Sequence, residues 1–233
     1  MLTGTFLRLA ARRSPHHTAV IGETSRLSYA QLDAAANRLA HALLGMGADR
    51  HTRVAILSAN GPEYAVAYYG AARAGCLLAH LSVRSTAEDV VFMLNKIGAR
   101  ILLFESRAWT IVSAARDRVA ALQQLVVLDS AQPDTGMQGV TPLAALTRDV
   151  PDHEPAVRIR DTDPLGITFT GGTTGVPRAV LVTHRARAAS AYAAALEFGI
   201  SDTDVVAVTT PLFHSAGLFV WFAPAVMLGA TLV

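Results

Sequence analysis

Strand-like and helix-like segments alternate along the first 130 residues of the chain, and this alternation constrains the fold more than any other feature. Short apolar runs such as RVAILS, at residues 53–58, stand between longer segments whose apolar residues recur at helical spacing. Each helix in such a pattern carries the chain back to the start of the next strand, so the strands run mainly parallel. We therefore predict an α/β fold of mixed, mainly parallel sheets flanked by helices.

Several predicted helices carry recognisable signals at their ends. Two pairs of residues fit the capping-box pattern, in which Ser or Thr precedes Glu or Gln by three positions: Ser28 with Gln31, and Ser85 with Glu88. Pro62 suits the first turn of a further helix, and Gly75 suits its end. Helices are also predicted at 109–122, at 185–198 and in an N-terminal run that contains Phe6, Leu7, Leu9 and Ala10.

Composition limits the classes of function. The 233 residues, 52% of them hydrophobic, are enough for a buried core in one large domain or two small ones. The formal net charge is +2 and the basic residues are spread along the chain, which argues against a nucleic-acid-binding face. The single cysteine, Cys76, excludes an internal disulfide and fits a reducing compartment, so we expect a cytoplasmic protein. We interpret Cys76 as a small buried apolar residue rather than as a nucleophile.

The two ends of the chain bear on membrane association. The N-terminal residues lack the basic start, continuous apolar core and cleavage site of a secretory signal. Residues 216–233 reach the length of a membrane span, but Pro224 and Gly229 interrupt them. We predict a buried helix followed by a strand in this segment, and no transmembrane span. The neighbours of that strand are expected beyond Val233, which predicts an unpaired strand edge, an exposed apolar patch and self-association.

The sequence FTGGTTGVPRAVLVTH, at residues 169–184, places a loop rich in glycine and threonine between two short β-rich runs. It follows a segment at 131–164 that prolines and aspartates interrupt, which we interpret as a surface connection with one short helix in PLAALT. The loop pattern predicts a β-hairpin whose glycines let successive backbone N–H groups turn toward a common point. Hydroxyl donors and a guanidinium add to those amides, and together they suit a polyphosphate. The predicted phosphate-binding residues are Thr170, Gly171, Gly172, Thr173, Thr174, Gly175, Pro177 and Arg178.

Two common phosphate-binding motifs do not describe this loop. The P-loop ends in Gly-Lys-Ser/Thr at the start of a helix, whereas Pro177 and Arg178 lead into a predicted strand. The dinucleotide-binding fingerprint has a different glycine spacing and is also followed by a helix. A solvent-exposed hairpin that binds nothing is the alternative from composition alone.

The loop resembles, over its full length, the phosphate-binding signature of the adenylate-forming superfamily of acyl-CoA synthetases, adenylation domains and luciferases. A second segment, PLFHSAGL at residues 211–218, is similar to the family's aromatic–His segment, which lies beside the acyl and nucleotide pockets. This resemblance places Phe213, His214 and Gly217 in the substrate pocket, and the Phe-His pair favours the acyl- and aryl-CoA ligase branch. The resemblance extends over essentially the whole chain.

Three residues of the loop depart from the family pattern. Gly171 stands where the family usually has serine, Arg178 where it has lysine, and Ala179 where it has glycine. Arg178 keeps the positive charge but replaces a compact ammonium with a planar fork. Ala179 would be unfavourable if the backbone required a positive φ at that position.

The resemblance implies a two-step reaction. A carboxylic acid attacks ATP to form an acyl-adenylate, and the thiol of CoA then takes the acyl group. ATP and CoA are the implied co-substrates, Mg²⁺ is the implied metal, and a fatty or aromatic acid is the implied substrate. The family's magnesium-binding glutamate and its lysine that contacts the carboxylate come from later segments, so the catalytic residues are expected beyond Val233.

By the same resemblance, residues 1–233 correspond to an incomplete N-terminal AMP-binding domain without the family's small C-terminal domain. Its expected parts are an alternating α/β part at 1–130, a connection at 131–164, the phosphate-loop hairpin at 165–184 and the start of a second α/β part at 185–233. Such a fragment is expected to be inactive alone. Two alternatives stay open: an adenylation domain that loads a carrier protein, and a catalytically silent nucleotide-binding remnant.

Overall fold

The structure is a computed structural model that describes residues 1–23, 25–129, 136–170 and 177–233. The α-helices in these ranges are α1 (Thr3–Arg13), α2 (Tyr29–Gly45), α3 (Pro62–Ala74), α4 (Ala87–Ile97), α5 (Trp109–Ala115), α6 (Leu143–Leu146), α7 (His184–Phe198) and α8 (Ala223–Leu228). The strands are β1 (Thr18–Ile21), β2 (Arg26–Ser28), β3 (Arg53–Leu57), β4 (Leu77–His80), β5 (Ile101–Phe104), β6 (Gln124–Val127), β7 (Val140–Pro142), β8 (Pro164–Thr170), β9 (Arg178–Thr183), β10 (Val205–Val206) and β11 (Thr231–Leu232). A π-helix at Ala216–Phe222 runs directly into α8.

Seven strands form the larger sheet, in the order β7-β6-β5-β3-β4-β8-β9. All neighbouring pairs are parallel except β8 with β9. The central strands are nearly continuous apolar runs because both faces of the sheet are covered, by α2 and α3 on one side and by α4 and α5 on the other. The predicted fold class, mixed and mainly parallel sheets flanked by helices, is confirmed.

A second sheet of four strands has the order β10-β11-β1-β2. The prediction of an unpaired strand edge near the end of the chain is wrong, because β11 pairs in parallel with β1 on one side and β10 on the other. Phe222 and Leu232 of this segment are each 2% exposed, but Val233 is 46% exposed, so the apolar patch stays a prediction. The N-terminal strand β1 supplies the neighbour that the pattern of the final residues did not reveal. Self-association stays a prediction.

The final residues form the helix and strand that were predicted for them. The π-helix and α8 make one continuous helix, which Gly229 ends with a left-handed backbone (φ 94°) before β11 begins. Among the helices that the structure describes, none combines the length and the apolar character needed to cross a membrane.

The capping box predicted at the start of α2 is confirmed, whereas the one predicted at α4 is displaced by one residue. Thr86 and Asp89 form the second box, in place of Ser85 and Glu88. Ser85 is already held in a turn, in which its N–H donates to the carbonyl oxygen of Ser82 over 3.0 Å. The helix therefore begins one residue later than the sequence pattern indicated.

The displaced cap can be tested by substitution. Thr86→Ala is expected to lower the free energy of unfolding by about 1 kcal/mol, because the N–H of Asp89 loses its acceptor. Ser85→Ala, one residue earlier, is the matched control and should change stability by less than about 0.5 kcal/mol. Chemical denaturation of both variants measures the difference, and a larger loss in Ser85→Ala would favour the box predicted from sequence.

Three other segments differ from the sequence predictions. The helix predicted at 109–122 ends at Ala115 in a 3₁₀ turn, because the N–H groups of Gln123 and Gln124 must reach the carbonyl of Arg100 to start β6. The connection at 131–164 contains the predicted short helix, α6, but also β7, which extends the large sheet. Leu9 is 42% exposed, so it does not share the buried face of α1 with the other apolar residues predicted there.

Candidate functional site

The glycine–threonine loop connects β8 and β9, which form the predicted antiparallel hairpin. Because β8 runs parallel to β4, the tip of the hairpin lies at the carboxyl-terminal edge of the parallel strands. Ligands of open α/β sheets bind outside this edge. Thr170 and Arg178 face each other as the last described pair before the tip. The predicted residues Gly171, Gly172, Thr173, Thr174 and Gly175 lie outside the described residues.

Arg178 and Ala179, which depart from the family pattern, lie at the base of the hairpin. Arg178 is exposed, and it takes part in none of the ion pairs found within the described ranges, which leaves its charge available to an anion at the tip. Ala179 pairs with Phe169 in the ladder of the hairpin. Every positive φ in the described part of the chain belongs to a glycine. The alanine methyl group therefore fits this strand without backbone strain.

His184, the last residue of the loop sequence, begins α7 and attaches the hairpin to the rest of the fold. It is 1% exposed, and its Nδ1 accepts a hydrogen bond of 3.3 Å from the backbone N–H of Thr3. Burial lowers the pKa of His184 to about 4, because the charged imidazolium is poorly solvated at this position. Thr183 caps the same helix by accepting from the N–H of Ala186 over 3.1 Å. The return strand of the hairpin is thus connected to both α1 and α7.

The buried imidazole of His184 predicts a loss of stability in acid. Its pKa is about 6.5 in the unfolded chain and about 4 in the fold, so the unfolded state binds more protons between these values and stability falls as the pH falls from 6.5 to 4. The full difference corresponds to about 3 kcal/mol. His184→Asn, which offers Thr3 an acceptor that does not titrate, should show a shallower pH dependence of the denaturation midpoint. His80, whose pKa burial lowers to about 3, contributes equally to both proteins. Identical pH dependence in the two proteins would contradict this role of His184.

Asn60 attaches the aromatic–His segment to the same edge of the large sheet. It follows β3, and its Nδ2 donates to the carbonyl oxygens of Val208 over 2.9 Å and Thr210 over 3.1 Å. Its Oδ1 accepts from the N–H of Leu212 over 2.7 Å. Sequence reasoning missed this residue, although a polar side chain directly after a buried parallel strand is a signal for the ligand-binding edge.

Phe213 and His214 lie in the turn before the π-helix, and Gly217 lies in its first turn. Phe213 is partly buried, His214 is exposed and Gly217 is buried. The Nδ1 atom of His214 accepts a hydrogen bond of 3.2 Å from the N–H of Ala216, which orients the imidazole ring. The hairpin and the aromatic–His segment are therefore both attached to the carboxyl-terminal edge of one sheet, as a shared site requires.

A cavity of about 410 Å³ lies beside the aromatic–His segment, at the ends of β1, β3 and β11. Asn60 is one of its few polar lining residues, and its apolar walls include Val20, Val208, Leu212, Phe222 and Leu232. A second cavity of about 470 Å³ lies at the opposite edge of the large sheet, where β3, β4 and β8 begin. We assign the first cavity to the candidate site because it is lined by Asn60 and by Leu212 of the aromatic–His segment, although Phe213, His214 and Gly217 do not line it.

Metal binding was predicted only through the family resemblance. The described residues contain no cluster of three or more His, Cys, Asp or Glu side chains that could hold a metal ion. Mg²⁺ does not need such a cluster, because proteins hold it through one or two carboxylates together with substrate phosphates. Mg²⁺ stays a prediction.

Comparisons with known proteins identify the family of the chain. A family model described as AMP-binding enzyme matches residues 7–233. Long-chain-fatty-acid–CoA ligase FadD13 of Mycobacterium tuberculosis is 32% identical over 234 residues, a match that covers 99% of this chain and 44% of that protein. Indoleacetate–CoA ligase of Aromatoleum aromaticum is 32% identical over 219 residues, which cover 94% of this chain and 42% of that protein. The chain thus spans less than half the length of these relatives.

Solved structures have the same fold. The inhibitor-bound N-terminal domain of FACL13 from Mycobacterium tuberculosis is 30% identical with a TM-score of 0.81, over 99% of this chain and 56% of that one. The anthranilate–CoA ligase AuaEII has a TM-score of 0.94 over 100% of this chain and 45% of that one, and at 18% identity this likeness shows the fold alone. With the family match over almost its whole length, the chain belongs to the AMP-binding enzyme family, as an N-terminal portion of the adenylate-forming fold.

Proposed function

We propose that the protein is an ATP-dependent acyl-CoA ligase, which activates a carboxylic acid as an acyl-adenylate and then transfers the acyl group to CoA. The observation that carries this proposal is the attachment of the glycine–threonine hairpin and the aromatic–His segment to one edge of the large sheet. Similarity to a CoA ligase over 99% of the chain supports it.

The hairpin suits the first step of this reaction. A carboxylate oxygen attacks the α-phosphorus of ATP, and the bond from that phosphorus to the leaving pyrophosphate breaks. Negative charge on the phosphate oxygens is then best stabilised by fixed N–H and O–H donors and by a guanidinium. We assign this role to residues 170–175, Pro177 and Arg178. In the second step the sulfur of CoA attacks the acyl carbon, and AMP leaves with the oxygen that joined it to the acid.

We assign Phe213, His214 and Gly217 to the wall of the acyl pocket. The cavity at the neighbouring Leu212, whose walls are apolar except for Asn60 and Glu23, offers space for the chain or ring of an acid. The names of the relatives include ligases of long-chain fatty acids, indoleacetate and crotonobetaine or carnitine, so family membership leaves the acid open. The apolar walls favour fatty or aromatic chains.

The proposal extends to organisation and location. Residues 1–130 and 185–233 form two alternating α/β parts, joined by the connection at 131–164 and the hairpin at 165–184. A cytoplasmic location is supported by Cys76, a buried free thiol whose pKa burial raises to about 12. A thiol of this kind is inert and suits a reducing compartment.

Acid-dependent ATP–pyrophosphate exchange by the full-length protein tests the adenylation step. We expect exchange with at least one fatty or aromatic acid, and a loss of about 100-fold in Arg178→Ala because a positive charge at the phosphates is removed. Arg178→Lys restores the charge and should recover much of the rate. Arg185→Ala removes an exposed arginine that pairs with Asp161 and is the matched control. Exchange that is unchanged in Arg178→Ala would exclude Arg178 from the site.

The identity of the acceptor thiol separates the alternatives. Thioester formation with free CoA supports the ligase, whereas transfer only to a phosphopantetheinylated carrier protein supports an adenylation domain. Nucleotide binding without exchange for any acid would support the silent remnant.

A further inference from the structure

Arg187 is a buried cation that the proposed roles above do not use. It lies in the first turn of α7 and is 2% exposed. Its guanidinium carbon is 3.2 Å from the centroid of the Phe219 ring. Tyr64, Tyr68 and Tyr69 are near enough to interact with its charge. The aromatic faces give this cation a favourable contact, but they do not supply a counter-charge.

The hydrogen bonding of this guanidinium is incomplete. Its Nε and Nη1 atoms are buried without a partner, and so are the hydroxyl oxygens of Tyr68 and Tyr69. Tyr68 still lies close enough to favour the charged form of Arg187, while burial lowers the pKa of the guanidinium. No ion pair within the described ranges includes Arg187. A buried charge without a carboxylate is unfavourable, so this position favours the binding of an anion.

The cation lies between the two segments of the candidate site. On one side, the Tyr64 hydroxyl and Nδ1 of His80 are hydrogen-bonded over 2.7 Å. His80 pairs with Thr168 of β8, just before the tip of the hairpin. On the other side, Phe219 belongs to the π-helix that follows the aromatic–His segment. π-Helical turns occur frequently at functional sites.

Phe222 lies between the apolar cavity and the tyrosines that surround Arg187. Its side chain lines the cavity of about 410 Å³. Its ring also packs against Tyr68 with centroids 5.4 Å apart and against Tyr69 with centroids 5.7 Å apart. A group that displaces Phe222 from the cavity side meets hydroxyls and a guanidinium that lack partners. Arg187 and these tyrosines do not line the cavity as it stands, so the far end of an acid reaches Arg187 by displacing Phe222.

We propose that Arg187, together with the Tyr68 hydroxyl, binds a second carboxylate at the far end of the acid, so that the enzyme prefers dicarboxylic acids to alkyl acids of the same length. This inference rests on the proposed function and names the substrate class of that site. A guanidinium binds a carboxylate through two parallel hydrogen bonds, which gain strength away from water. An alkyl acid leaves the same donors unpaired, and buried unpaired groups discriminate strongly against a substrate that lacks the polar group.

Exchange kinetics with acids of equal length test the inference. The full-length protein is assayed for ATP–pyrophosphate exchange with octanedioate and with octanoate, and the two kcat/KM values are compared. We expect the wild type to favour octanedioate by about tenfold or more, and Arg187→Met to favour octanoate. Arg187→Lys keeps the charge without the planar fork and should retain a reduced preference for the diacid. Arg185→Met, which changes an exposed arginine on the same helix, should keep the full preference.

A wild-type preference for octanoate overturns the inference while leaving adenylation intact, and so does an unchanged diacid preference in Arg187→Met. If Arg187→Met does not fold, the wild-type ratio and the ratio of Arg187→Lys decide. Thermal unfolding of the wild type with ATP gives a second readout, in which octanedioate should raise the Tm more than octanoate does. A failure of exchange with every acid overturns the proposed function and this inference with it.

Discussion

Replacing Gly217 by alanine is expected to disable the candidate site. An added Cβ would lie 2.5 Å from the carbonyl oxygen of Pro211 and 2.6 Å from that of Thr210, well inside van der Waals contact. Both are backbone atoms, so the segment itself must move. The Thr210 oxygen also accepts from Asn60, so the movement loosens the attachment to β3. We expect a loss of about 2 kcal/mol in the free energy of unfolding and a loss of about 100-fold in exchange kcat/KM.

Gly45→Ala is the matched control for this substitution. Gly45 is the last residue of α2, and an added Cβ meets no atom within 4 Å. Alanine favours a helix over glycine by up to about 1 kcal/mol, so this variant should be neutral or slightly stabilised. Chemical denaturation and exchange assays compare the two variants. Wild-type stability and exchange in Gly217→Ala would contradict the close approach described for the π-helix.

Replacing Arg73 by methionine is expected to lower the free energy of unfolding by about 3 kcal/mol or more. The Arg73 side chain is 1% exposed and connects three helices. From α3 it donates to the carbonyl oxygen of Gly4 in α1 and to the side chains of Asp33 and Asn37 in α2. Methionine fills much of the same space but leaves these acceptors without a donor. Removing one partner of a buried pair costs more stability than replacing both partners with apolar groups.

Arg118→Met removes an ion pair from the surface. Arg118 donates to both carboxylate oxygens of Glu88, over 2.6 and 2.7 Å, but the two side chains are 48% and 71% exposed. Water solvates both charges there, so we expect a much smaller loss of stability than in Arg73→Met. Denaturation of the two variants under the same conditions measures the contrast. Equal losses would mean that burial does not determine the contribution of Arg73.

Features that depend on neighbours in the sequence were predicted well. The cap at Ser28, the proline at the start of α3 and the left-handed Gly75 after it all occur where the sequence indicated. The glycine–threonine hairpin and the aromatic–His segment could be recognised because each motif is contiguous. The cap of α4 was placed wrongly because the pattern asks for Glu or Gln, which Ser85 and Glu88 satisfy, whereas the box that forms uses Asp89 after Thr86. The turn that holds Ser85 leaves Thr86 as the cap.

Features that depend on distant contacts could not be predicted. The strand β11 has only two residues, and its burial depends on β1 and β10, which lie far away in the sequence. The role of Asn60 depends on its hydrogen bonds to the residues just before Phe213. The role of Arg187 depends on aromatic rings that belong to α3 and the π-helix. Periodicity and composition contain no information on such pairings, whereas the tertiary structure determines them.

The most direct test of the central proposal follows one oxygen atom. The full-length protein is given an acid labelled with ¹⁸O in its carboxylate, together with ATP and CoA, and the products are analysed by mass spectrometry. In the proposed mechanism the carboxylate oxygen bonds to the α-phosphorus and leaves with AMP when the thiol attacks, so AMP should carry one ¹⁸O and pyrophosphate none. Release of ADP with ¹⁸O in inorganic phosphate would place the attack on the γ-phosphorus and contradict the assignment of this protein as an adenylate-forming ligase.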